Sequence, residues 1–298
     1  MSKPLLGIAL GGGGARGAAH IGVLQEFDNV GLEIDMLSGV SAGAVIGALY
    51  AYSLDAKWVE DHFREIWSSA SFNEMSSKTF LLNGASNSSA SGIKKSLIDH
   101  VHALISLHRS ALISNEQLRD VLEILVPVKT FEELKIPLKI VSTDIQRGED
   151  VIIDKGDLIE ALIKSCSIPG IMEPVEDGGR MIVDGGVSMP IPVIPLVESC
   201  DITVAVDIGV YLFEKLERPN ARSIKVRSDI ITSNRLKERL ISDADLVIRP
   251  DTMGLHWSRF DSAEILLENG KNTAKGELSK IMIMLDNKKN KIESINNG

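Results

Sequence analysis

Apolar and polar positions fall into short alternating blocks along the first fifty residues. Residues 5–10 form an uninterrupted apolar run closed by glycines, which predicts a buried strand. Residues 15–29 follow with Ala18, Ile21, Leu24 and Phe27 at helical spacing. Residues 36–40 predict a second short strand. Residues 42–52 predict a helix whose inner side is largely alanine and glycine, small enough to lie close to a sheet. Further strands are predicted at 138–143, 151–154, 181–183, 202–206 and 246–248, with helices between several of them, notably 157–165 and 227–241. Strands alternating with helices predict an α/β fold of three layers, a mainly parallel central sheet with helices on both faces.

Residues 68–96 break this rhythm. They are rich in Ser, Asn and Gly, with scattered apolar residues such as Phe72, Phe80, Leu81 and Leu82. A helix is predicted over 93–107, placing Leu97, Val101, Leu104 and Ile105 on one face, and another starts at Ser114, with Gln117 completing a capping box. Long loops in compact domains tend to be lids or binding loops, so a helical and loop cap is expected over about 68–110. No internal repeat is found, and the chain after Asp286 reads as frayed. The expectation is one domain over 1–298, with its core motifs in 8–207 and a helical part in 208–298.

Composition adds one anomaly. Eleven of the 25 glycines lie in the first 47 residues, where even scattering would put about four. The net charge of −9 argues against a nucleic-acid partner, whose footprint is a basic face, and against holding anionic lipid by charge alone. The two cysteines, Cys166 and Cys200, are too few for a disulfide framework and suit a reducing compartment. No apolar run approaches the roughly 20 residues of a membrane span, so a cytoplasmic type of chain is expected.

Three motifs carry candidate chemistry. Gly11-Gly12-Gly13-Gly14-Ala15-Arg16-Gly17 lies between the first strand and its helix, where unpaired backbone amides can receive an anion. It also satisfies the dinucleotide-binding spacing, but Asp35 opens the second strand instead of closing it, and no Gly-Lys-Ser/Thr follows to make a P-loop. A tight strand-to-helix turn is the plain alternative. Gly39-Val40-Ser41-Ala42-Gly43 is a nucleophile-elbow pattern in the strand–turn–helix context it requires, although Ser41 can equally be a simple helix cap. Of the six histidines only His256 follows the later acidic candidates, as an α/β-hydrolase triad would require, so a histidine base has little support. Asp184-Gly185-Gly186, at the end of a predicted strand, offers an uncrowded carboxylate at the edge where α/β folds place ligands, or else an ordinary turn.

Together the motifs at 12–17, 39–43 and 184–186 resemble the patatin-like phospholipases. The resemblance extends to Ser142-Thr-Asp144, Gly148-Glu149, Ser165-Cys-Ser-Ile-Pro-Gly170 and Ile191-Pro192, and so covers about two thirds of the chain, from Ile8 to Asp207. Within the family the chain is similar to short bacterial members related to the catalytic domain of neuropathy target esterase. Ser188-Met189-Pro190 departs from the asparagine-containing turn of many members. The resemblance implies a Ser41–Asp184 dyad that cleaves fatty-acyl esters of phospholipids or lysophospholipids through an acyl-serine. It further implies an oxyanion hole from Gly12, Gly13 and Gly14, with supporting roles for Arg16, Gly39, Gly43, Gly185 and Gly186. Arg16 would orient the loop or attract an anionic head group. No metal and no cofactor are implied, and the expected partners are a lipid or acyl-ester substrate and transient contact with a membrane surface. Leu81, Leu82 and the Leu97/Val101/Leu104 face would line an acyl channel, touch the membrane or pack under the loop. Two other readings stay open: a non-catalytic binding module on the same fold, and a nucleotide-binding Rossmann domain.

Overall fold

A computed structural model describes residues 3–67 and 113–296, apart from 214, 217 and 218. The expected cap, with Leu81, Leu82 and the 93–107 helix, lies outside the described residues. Strand β1 (Leu6–Leu10) is wholly buried and pairs in parallel with β2 (Met36–Val40) on one side and with β7 (Ile202–Val206) on the other. Parallel β8 (Leu246–Ile248) extends the sheet beyond β7. On the other flank β2 pairs in parallel with β3 (Leu138–Asp144), which pairs antiparallel with β4 (Glu149–Ile153) and β6 (Arg180–Asp184). The short β5 (Val175–Asp177) closes the far edge on β6, giving eight strands in all.

Both faces of the sheet are covered, which accounts for the continuous apolar strands. Leu6, Ile8 and Leu10 point into the larger core, under α1 (Ala18–Asn29), α2 (Ala42–Ser53) and α3 (Ala56–Trp67). Ala9 and Ala205 face a second cluster with Ile191, Val193 and Ile241, joined by Leu196 of the short helix α6 (Ile194–Val197). The expected three-layer α/β architecture is therefore the observed one. Helix α4 (Asn115–Leu125) starts with the expected capping box between Ser114 and Gln117, and α5 (Leu158–Cys166) is capped by Asp157.

Besides the short β5 and α6, which were not expected, three helices depart from expectation. α3 was not expected, although Ala56, Val59, Phe63 and Ile66 line its buried side. Helix α7 (Ala221–Leu240) begins about two turns earlier than expected, capped by Asn220. The predicted fraying after Asp286 is corrected by α8 (Ala263–Asn296), a helix of 34 residues. Buried Leu266, Leu267, Ala274 and Ile281 dock α8 on the core, and this packing outweighs the weak helix propensity of its Asn- and Gly-containing sequence. α8 crosses α1 backbone to backbone: a Cβ on Gly270 would lie 2.1 Å from the Ala19 carbonyl oxygen.

Candidate active site

Strand pairing brings the second and third motifs together. Ile140 and Val141 of β3 pair with β4 on one side and with the end of β2 on the other. One residue later, Ser142 keeps its β4 partner but faces Asp184 of β6. β2 and β6 therefore share one side of β3, running toward each other and ending head to head. The chain must leave the sheet at both ends. At Ser41 it does so with φ 54° and ψ −125°, a conformation that side chains rarely adopt, before entering α2. The turn is possible because α2 rests almost directly on β1: a Cβ on Gly43 would fall 2.1 Å from the Leu10 carbonyl oxygen, and Gly39 is packed as closely against Ala44.

The Ser41 hydroxyl consequently faces the Asp184 carboxyl, closely enough to favour its ionised form. Both residues are 7% exposed. Burial pushes the Asp184 carboxyl up to about 6, although the Ser41 hydroxyl and a hydrogen bond from the Gly186 amide (2.7 Å to Oδ1) pull the other way. Gly185 begins the turn after Asp184 and lies against Val141 and Val40. The Cys166 thiol lies near Ser41, and burial, reinforced by Asp184, raises its pKa and keeps it protonated. His20, by contrast, is buried beneath the glycine loop, where its Nε2 meets the Gly11 carbonyl oxygen at 2.8 Å and burial lowers it to about 4. His62 bonds the Leu125 carbonyl.

The first motif sits beside Ser41: a Cβ on Gly12 would lie 3.5 Å from the Ser41 Cβ. Its amides are not equivalent. The expectation that Gly12, Gly13 and Gly14 all present free donors is corrected at Gly12, whose N–H donates to the Pro190 carbonyl at 3.1 Å. Gly13 and Gly14, at the start of a 3-10 turn over Gly14–Gly17, have no backbone acceptor among the described residues. The next amide, Ala15, donates to the Trp257 carbonyl at 2.7 Å. Arg16 donates from Nη1 to the Leu255 carbonyl at 3.1 Å, and burial lowers its guanidinium to about 10. This contact ties Arg16 to the 255–257 segment. Asp35, the acidic residue of the dinucleotide alternative, lies at the opposite end of β2 and is taken up by the Leu6 amide and Lys3.

Several contributors to the site lie outside the three motifs. Pro190, Leu255 and Trp257 act through backbone carbonyls, which any residue supplies. Ser165 accepts from the Ser41 amide, and the Ser167 carbonyl accepts from the Asp184 amide. Ser188, the departure from the family turn, bonds Thr143 at 2.7 Å. Among the described residues no three His, Cys, Asp or Glu side chains gather in a metal-binding arrangement, and no helix is long and apolar enough to cross a membrane.

The sequence profile of the family described as "Patatin-like phospholipase" matches residues 8–197, a span that contains all three motifs. An NTE family protein of Mycobacterium tuberculosis is 32% identical over 212 residues, 70% of this chain and 50% of that protein. Neuropathy target esterase sws of Drosophila melanogaster is 32% identical over 208 residues, 68% of this chain and 13% of its own length. The chain thus spans half the length, or less, of these curated relatives. Among solved structures, VipD from Legionella pneumophila aligns with 96% of this chain and 67% of its own at a TM-score of 0.47 and 15% identity. Human GIVD cytosolic phospholipase A2 aligns with 96% of this chain and 59% of its own at a TM-score of 0.49 and 12% identity. On the profile match, which takes in more than half of its residues, the chain belongs to the patatin-like phospholipase family.

Proposed function

We propose that the chain is a serine lipid acyl hydrolase that cleaves fatty-acyl esters of phospholipids or lysophospholipids. The observation that carries this reading is the placing of Ser41, on a strained turn, against a buried Asp184 raised to about 6. A carboxylate in that range is ionised at neutral pH yet basic enough to take a hydroxyl proton. Ser41 Oγ attacks the ester carbonyl carbon while its proton passes to Asp184. The resulting oxyanion is met by the Gly13 and Gly14 amides, at about 3–4 kcal/mol per donor. Collapse breaks the ester C–O bond, and the leaving alcohol takes the proton from Asp184. Water then attacks the acyl-serine, giving its proton to Asp184, which returns it to Ser41 as the fatty acid leaves. No step draws on a cofactor.

A lipid surface is the natural source of substrate. Leu212 and Met253, 66% and 37% exposed, sit next to each other through Gly254, and the adjoining Leu255 holds Arg16. Transient contact of these exposed apolar residues with a membrane or micelle fits that source.

A fluorophosphonate probe tests the reading, with wild type beside Ser41→Ala and Asp184→Asn. Labelling of wild type alone, with release of p-nitrophenol from acyl esters, is the expected result. An unlabelled, inactive wild type would leave a binding module on a phospholipase fold. Activity retained in Asp184→Asn would remove the dyad and leave an esterase.

A further inference from the structure

The C-terminal end of α5 reaches both halves of the site. Ser165 is fully buried, and its hydroxyl donates to the Val141 carbonyl at 2.6 Å. A hydroxyl has a single proton, so toward Ser41 it can only accept, and it receives the Ser41 amide at 2.9 Å. Two residues on, the Ser167 carbonyl receives the Asp184 amide at 2.9 Å. Serines in helices commonly turn their hydroxyl back on the preceding turn, as Ser167 does to Ile163 at 2.8 Å. Ser165 reaches across to β3 instead. Gly185 packs against the same Val141 carbonyl, on which a Cβ would intrude at 2.4 Å, so one β3 carbonyl borders the exits of both converging strands.

We propose that Ser165 is the positioning residue of the dyad: its hydroxyl holds the Ser41 backbone in the strained turn and so sets the hydroxyl against Asp184. The proposal rests on the hydrolase reading for its catalytic consequence but not for its geometry. Without Ser165 Oγ, the Ser41 amide is a buried donor with no acceptor, and the turn relaxes toward one that supplies a partner. The relay also keeps that amide out of the oxyanion hole, leaving the role to the glycine loop.

The test compares Ser165→Ala with Ser38→Ala, which also removes a fully buried hydroxyl, one that bonds the Pro192 carbonyl on β2. Ser165→Ala is expected to lose about 100-fold in kcat with KM nearly unchanged, as a misplaced reacting group does, whereas Ser38→Ala stays within about threefold. Amide hydrogen exchange supplies a readout independent of activity. The Ser41 amide is protected in wild type and exchanges at least about tenfold faster in Ser165→Ala. Equal kcat losses in the two variants, or a loss confined to KM, overturn the positioning role. An unprotected Ser41 amide in wild type overturns the clamp even if Ser165→Ala does not fold. A wild type that takes no fluorophosphonate while its Ser41 amide is protected overturns the hydrolase reading instead.

Discussion

The amide of Gly12 donates to the carbonyl of Pro190, six residues beyond Asp184. The glycine loop and the acid turn are therefore one hydrogen-bonded unit, and the loop amides left without a backbone acceptor among the described residues are Gly13 and Gly14. The loop is fixed from its other side by the carbonyl of Trp257, against which Gly14 packs with φ 57°.

Gly14→Ala is accordingly predicted to disable the loop while sparing the dyad. A Cβ there would stand 2.5 Å from the Trp257 carbonyl oxygen in a left-handed conformation. Acyl-ester turnover should fall by at least about 100-fold, as for loss of an oxyanion donor. Circular dichroism should still report a folded chain, and unfolding would refute the prediction.

The pH dependence should follow Asp184. The carboxylate must be unprotonated to accept from Ser41, so kcat/KM is predicted to rise about tenfold per pH unit below about 6 and to level off above it. A neutral p-nitrophenyl ester, assayed from pH 4.5 to 8, isolates this titration. A profile flat across pH 5–7 would count against Asp184 as the base.

The same shift predicts a trade between stability and activity. Asp184 has a folded-state value of about 6, above its ordinary 3.8, so the fold favours the protonated form. Stability contributed by that preference is present at low pH and is lost as pH rises from about 4 to about 6. Asp184→Asn should then be inactive yet more stable than wild type by roughly 1–3 kcal/mol at pH 7.5, the difference vanishing near pH 4. Thermal melts at the two pH values decide it.

Arg16 is predicted to act on the loop, not on the head group. It is held by the Leu255 carbonyl, so Arg16→Ala should lower turnover of a neutral p-nitrophenyl ester and of an anionic phospholipid by the same factor, about 10-fold or more. A loss confined to the anionic substrate would assign Arg16 to head-group binding.

Backbone strain at Ser41 gives a further measurement. Ser41→Ala keeps the positive φ and its cost, whereas Ser41→Gly relieves it, so the glycine variant should be about 1 kcal/mol the more stable of two dead enzymes. Denaturant midpoints compare them directly, and the reverse order would mean the turn is unstrained.

The local units of this fold are written in the sequence because their causes are local. Apolar runs ended by glycine mark β1 and β2, and the Ala/Gly helix after Ser41 announces its close approach to the sheet. α3 carries the same kind of signal, but charged residues fill the rest of its turns and lower its mean hydropathy. Ser41 and Asp184 can be singled out by motif, yet their meeting depends on β6 continuing the line of β2 along β3, and register between strands so far apart has no local signature. The occupied Gly12 amide and the carbonyls of Leu255 and Trp257 were invisible for a different reason. Main-chain acceptors leave no trace in residue identity.

The backbone contact between Gly270 and Ala19 has a consequence in time. Translation at about 5–20 residues per second separates these two positions by roughly 10–50 s. During that interval the nucleophile segment is already outside the ribosome, while the helix that seats α1 and the carbonyls that hold the glycine loop do not yet exist. The nascent chain thus exposes the small-residue face of α1 and must be shielded from association. The contacts that fix its glycine loop from the far side form only after the chain through Trp257 and α8 has been made.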